Sequence, residues 1–167
     1  MTNPPRHLQR LYLKGPLQRF LNWVSSLHDL LNFKPGKCQK LKLLDLDQLK
    51  ELRFIIMEDD TLPCLQKLII CLCSKLVRAP RGIDNLIHLQ MLLLCDMPET
   101  FVLKKNGGQY RHLVHHILCI QSYKQGQLEE IIFHEHYTSE RISITDENQQ
   151  AFKDPLHVLV GLQIDKW

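Results

Sequence analysis

The chain has 167 residues, 44% of them hydrophobic, which is enough for one modest domain with a real core and too many for a disordered segment. Its 21 basic and 18 acidic residues leave a net charge of +3, a balance that gives no case for nucleic acid or an anionic membrane surface as partner. The opening MTNPPRHLQRLYLKG has no unbroken apolar stretch of the secretory kind, and no apolar run reaches the length of a membrane span, so neither export nor a membrane span is expected.

Leu8, Leu11 and Leu13 open the chain on an L-x-x-L-x-L spacing, followed by Leu17, Phe20, Trp23, Val24, Leu27 and Leu30. Residues 1–31 are read as a degenerate first coil of a repeat. Residues 32–40, NFKPGKCQK, form a polar connection bearing Pro35 and Gly36. Leu41, Leu44 and Leu46 then restart the spacing. The step from Leu8 to Leu41 is neither one period of the later pattern nor two, so the first join is an insertion, a degenerate coil or the trace of a lost piece. Residues 50–63 lead the chain back through Leu52, Phe54, Ile55 and Ile56 to an acidic turn at Glu58-Asp59-Asp60.

The clearest pattern covers residues 65–101. Leu65, Leu68, Ile70, Cys73 and Leu76 fall on L-x-x-L-x-L-x-x-C-x-x-L. Leu89, Leu92 and Leu94 repeat its opening further on, at the same interval by which Leu41, Leu44 and Leu46 precede it. That interval lies within the roughly 20–29-residue period of a leucine-rich repeat. Leu68-x-Ile70 and Leu92-x-Leu94 set alternate side chains on one face of a short strand, pointing into a shared core. One coil cannot bury that face alone, so coils must stack. Pro80, Gly82 and Pro98 argue against a bundle of long helices. The expected fold is α/β, a leucine-rich-repeat arc with one short parallel strand per repeat and an irregular or short-helical outer side. Repeats and a C-terminal strand occupy residues 41–120.

After Phe101 comes a basic turn, Lys104-Lys105-Asn106-Gly107-Gly108, and then weak strand signals at Leu113, Ile117, Cys119 and Ile120. Residues 121–167 carry no repeat and are read as a tail or cap. With Leu11 and Leu13 close behind the polar start of the chain, the N-terminal edge is expected to be marginal or to associate.

No catalytic constellation emerges. His134 and His136 with Glu130 and Glu135 are metal-ligand types, but nothing else at zinc-site spacing joins them. His112, His115 and His116 alternate faces of a strand. Lys105 to Gly108 lacks the G-x-x-x-x-G-K-[ST] frame that cradles phosphate, Cys71-x-Cys73 is not the C-x-x-C redox spacing, and no serine sits in G-x-S-x-G. The chain is therefore expected to be no enzyme and to need no cofactor or metal. The six cysteines, with no N-x-[ST] sequon anywhere, read as free thiols of a reducing, cytoplasmic compartment.

The residues between the core leucines face the other side of the strand ladder and are the candidate partner-binding surface. They are Arg10, Tyr12 and Lys14, then Asp45 and Asp47, then Lys67, Ile69 and Leu72, and last Met91, Leu93 and Asp96. Ile69, Leu72, Met91 and Leu93 are expected to stand exposed side by side, as an apolar contact patch or as a face covered by the chain's own Ile131-Ile132-Phe133.

Residues 61–102 resemble the C-terminal leucine-rich repeats of plant intracellular disease-resistance proteins of the coiled-coil, nucleotide-binding, leucine-rich-repeat class. Leu62-Pro63, Leu65, Leu68, Ile70, Cys73, Leu76, Pro80, Gly82-Ile83, Leu86, Leu89, Leu92, Met97-Pro98 and Phe101 carry the likeness, and residues 8–23 add a weaker one upstream. The resemblance implies a role in innate immunity, as a surface that meets a pathogen effector, a guarded host protein or another receptor domain. It also implies a truncated or partial member, since no phosphate-binding loop or coiled coil is present. The alternative is a leucine-rich-repeat adaptor or scaffold unrelated to immunity.

Overall fold

The computed structural model describes residues 7–15, 24–26, 29–101 and 111–133. All of these lie in one compact unit, Met1–His134. The N-terminal strand β1 (Arg10–Lys14) pairs in parallel with β4 (Leu43–Asp47), β4 with β6 (Lys67–Cys71), β6 with β7 (Met91–Cys95), and β7 with β8 (Cys119–Lys124). A final strand, β9 (Gln127–Phe133), returns antiparallel beside β8 and closes a six-stranded sheet. Ile70 and Leu94 are direct partners on neighbouring, same-direction strands, as the repeat spacing requires. The molecule is a parallel β-solenoid of leucine-rich-repeat type.

Two backbone features recur from coil to coil. Just after the strand, Gly15, Gln48, Leu72 and Asp96 take left-handed backbone, with φ of 83°, 56°, 54° and 49°. Each then donates its N–H to the strand end of the next coil, at Asp47, Cys71, Cys95 and Tyr123 O, over 3.2, 3.0, 2.9 and 2.9 Å. Just before the strand, a buried apolar residue closes a tight turn: Leu41 N to Cys38 O, Leu65 N to Leu62 O, Leu89 N to Leu86 O and Ile117 N to Val114 O. The last of these shows that residues 114–124 form a further coil. Its interval is longer than the two before it, since Met91 pairs with Cys119.

The long step from β1 to β4 closes as a single coil, since Leu11 pairs directly with Leu44. The added length is spent on the outer side. There β2 (Val24–Ser26) and β3 (Leu30–Phe33) form an antiparallel pair, and β3 pairs in parallel with β5 (Phe54–Met57). This second sheet corrects the expected α/β class. The outer side of the first two coils is strand, and helix among the described residues is confined to a 3-10 turn, Ile83–Asn85, and a short α-helix, Arg111–Val114. Alternation explains it: Leu31 and Phe33 from β3 and Ile55 and Met57 from β5 point inward and are buried against the leucines of the main sheet.

Gly82 joins the strand-built outer side to the 3-10 turn. Its φ is +82°, and a Cβ there would lie 1.9 Å from the Met57 carbonyl oxygen. The approach is forced because Met57 N and Arg81 N bond across to Arg81 O and Ile55 O, each at 2.9 Å. At the other end of the sheet, Gln125 and Gly126 both take positive φ, the two-residue turn that suits a twisted hairpin between β8 and β9. Ile131-Ile132-Phe133 therefore extends the sheet edge and does not lie across its open face.

Two stability outcomes follow from this packing. Leu68→Ala or Leu92→Ala, both in the fully buried ladder, should lower unfolding free energy by about 2–5 kcal/mol in urea titration. Gly82→Ala should cost about 1–3 kcal/mol from its left-handed backbone alone, with the Met57 clash added. A Gly82→Ala chain that melts with the wild type would show that the outer strands do not approach so closely.

Candidate interaction surface

The constant register stacks the open-face residues in rows across five strands. One row runs Arg10, Leu43, Lys67, Met91, Cys119, the next Tyr12, Asp45, Ile69, Leu93, Gln121, and the third Lys14, Asp47, Cys71, Cys95, Tyr123. The face thus grades from charged at the N-terminal coils to apolar at the C-terminal ones. Of the sequence-selected residues, all but Leu72 and Asp96 stand in these rows, and those two occupy the strand-end turn beside them. Asp96 is already engaged: its Oδ1 accepts the Gln125 N–H at 2.6 Å and so holds the β8–β9 turn.

Exposure departs from expectation. Tyr12 and Leu72 are open to solvent at 42% and 41%, and Arg10 and Lys14 are exposed. Ile69, Met91 and Leu93 are instead buried, at 4%, 6% and 3%. Adjacent strands bring same-face side chains together, and Ile69, Cys71 and Leu93 cluster with Cys95 and Tyr123 packed against them. The expected exposed patch of four apolar residues is not exposed: Ile69 and Leu93 belong to a small second core, Met91 is buried beside it, and only Leu72 is left in solvent.

The charged end is uneven. Lys14 Nζ meets Asp47 Oδ2 at 2.7 Å, an exposed pair whose contribution to stability is small. Asp45, two residues away, is 7% exposed, and its Oδ1 is buried without a hydrogen-bond partner. Burial, reinforced by the neighbouring Asp47 charge, pushes its carboxyl up to about 6. Burial likewise lowers Lys67, against the opposing pull of Asp45.

Outside this face, His115 and His116 stack edge to face with ring centroids 5.9 Å apart, and burial lowers His116. Among the described residues no group of three or more His, Cys, Asp or Glu could hold a metal. His134, Glu135, His136 and Lys105 to Gly108 lie outside the described residues. No helix among the described residues is long and apolar enough to cross a membrane. Sequence reasoning missed the fifth strand's contribution, Gln121 and Tyr123. The signal was present in Val114 and Ile117, which keep the pre-strand turn spacing under a longer interval.

A leucine-rich-repeat-like solenoid presents an extended strand face of the kind repeat proteins use for binding. Among known proteins, the chain is 29% identical over 155 residues to disease resistance protein RPM1 of Arabidopsis thaliana, a similarity covering 70% of this chain and 17% of that protein. No protein-family model matches the sequence, and no solved structure matches it. The likeness is distant and partial, and it supports a repeat module like those of resistance proteins.

Asp45 yields a pH prediction. Its carboxyl titrates higher in the folded chain than its ordinary value of 3.8, so the folded state holds its proton longer than the unfolded one. Stability therefore falls as pH rises from about 4 to about 6. Asp45→Asn should melt like the wild type below pH 4 and above it at pH 7, the gap opening across that window in thermal scans. Equal melting at both ends would show that the carboxylate carries no penalty.

Proposed function

We propose that this chain is a non-enzymatic recognition module of the plant resistance-receptor kind, working in the cytoplasm by binding a protein partner across the open face of its strand ladder. The partner class is another receptor domain, a guarded host protein or a pathogen effector. The observation that carries this reading is Leu72. It combines an exposed leucine side chain with a left-handed backbone that disfavours leucine. Asparagine or glycine fits that turn better and would satisfy the ladder equally well. Leucine retained in a strained, solvated turn supports a role in contact there. Tyr12, exposed at the opposite end of the face, supplies a second anchor of the type that dominates interfaces. The similarity to a resistance protein supports the immune setting.

Leu93 is a poor probe, because an aspartate buried there would disturb the fold. Leu72→Asn with Tyr12→Ala is the better one. Leu72→Asn should hold stability within about 1 kcal/mol of wild type, on the stabilising side. In a plant-cell interaction screen the double variant should lose the partners that the wild-type chain retains, with a receptor domain, host target or effector among them. Identical partner sets for both chains would remove the open face as the binding surface. Loss confined to signalling proteins outside immunity would favour an adaptor instead.

A further inference from the structure

The third row of the open face sets Cys71 directly beside Cys95, as register partners on neighbouring parallel strands. Both are free thiols. Adjacent strands lie about 4.8 Å apart, inside the roughly 4.4–6.8 Å between Cα atoms that a disulfide tolerates. The two side chains also pack together in the small second core of the open face. Their access differs: Cys71 is buried and Cys95 only half-buried. One reachable thiol with a second, shielded thiol aimed at it is the arrangement of an attacking and a resolving cysteine.

The other cysteines lack this arrangement. Cys38, Cys73 and Cys119 are buried, and burial pushes their thiols up, Cys38 to about 12 and Cys73 to about 11. The Cys73 S–H is directed at backbone carbonyls, Cys71 O at 3.4 Å and Leu46 O at 3.8 Å. Cys64 is exposed on the turn ahead of β6 and serves as an internal control for simple accessibility.

We propose that Cys95 and Cys71 form a thiol–disulfide exchange site that reacts with a small-molecule disulfide, such as oxidised glutathione, to close a cross-strand bond between the second and third regular coils. The Cys95 thiolate attacks one sulfur of the incoming disulfide, forming a mixed disulfide and releasing one thiol. Cys71 then loses its proton and attacks the Cys95 sulfur, expelling the second thiol. Two protein thiols are oxidised and one disulfide is reduced to two thiols, so electrons and protons balance. Cys95 attacks first because it is the more accessible of the two, and interaction between the thiols lowers Cys95 and raises Cys71, the direction that favours this order. A thiol reductant reverses the exchange by the same route. The bond would fix the backbone immediately before Leu72, whose N–H already donates to Cys95 O at 2.9 Å. The site stands whether or not this face docks a partner.

The test uses the intact chain, treated with oxidised glutathione, acid-quenched, alkylated and mapped by tryptic mass spectrometry. The expected result is the loss of two free thiols and a linked pair of fragments, residues 68–75 and 82–104, joined through Cys71 and Cys95 and separated by dithiothreitol. Cys71→Ser should stop at one glutathione on Cys95. If that variant does not fold, the wild-type map decides alone. A wild-type chain that keeps glutathione on Cys95 without linkage, links through Cys73, or reacts only at Cys64 would overturn the proposal.

Discussion

One backbone hydrogen bond, repeated at the end of each strand, sets the geometry of this molecule. A strand left to itself would continue extended, and its next amide would point away from the neighbouring coil. Turning Gly15, Gln48, Leu72 and Asp96 into the left-handed region aims that amide along the ladder, where it reaches the following coil's carbonyl. Three of these four residues are not glycine and accept a backbone that costs each about 1 kcal/mol or more. The cost is offset because the bond extends each sheet pairing by one step and turns the chain toward the outer side. The register is then held constant, and the leucines fall into line without further instruction.

Constant register has consequences on both faces. Inward, it stacks leucine on leucine, so every coil buries its neighbour's apolar edge. Outward, it stacks whatever the variable positions carry, and here the C-terminal coils carry Ile69, Cys71, Leu93 and Cys95. Four such side chains in a two-by-two block shield one another, which is why residues on the nominally solvent-facing side are nearly as buried as the core. The outer side obeys a looser rule. It is sheet where Leu31, Phe33, Ile55 and Met57 alternate, and it gives way to a 3-10 turn beyond Gly82, where the backbones come too close for any side chain.

The sequence made the main ladder legible because a fixed interval between buried leucines can be read without knowing any contact. Strands β4, β6 and β7 follow from it directly. The outer sheet was not legible in the same way. Phe54-Ile55-Ile56-Met57 is a continuous apolar run, which periodicity alone cannot assign. Its partner, Leu30 to Phe33, overlaps a segment whose Pro35 and Gly36 signal a connection. Longer intervals hid the first and last joins, since insertions on the outer side lengthen a coil without altering its strand. On the candidate surface, alternation identified the correct face but not its exposure. Burial there depends on neighbours one full coil away, and a single strand carries no record of them.

Asp45 shows what kind of face this is. A sheet surface selected only to stay folded would place an uncharged residue between Tyr12 and Ile69, because a carboxylate oxygen buried without a donor weakens the fold at neutral pH. Lys14 relieves it only in part, its Nζ being held by Asp47. Lys67 is itself disfavoured as a charge by burial. The same stretch of sheet also carries a leucine in a left-handed turn and a pair of facing thiols. Such departures from local folding rules, here on and beside the open face, are expected more often where a surface is kept for contact than where it serves stability alone. Charge at one end, at Lys14 and Asp47, and a shielded apolar block at the other, at Ile69 and Leu93, make the face itself polar along its length.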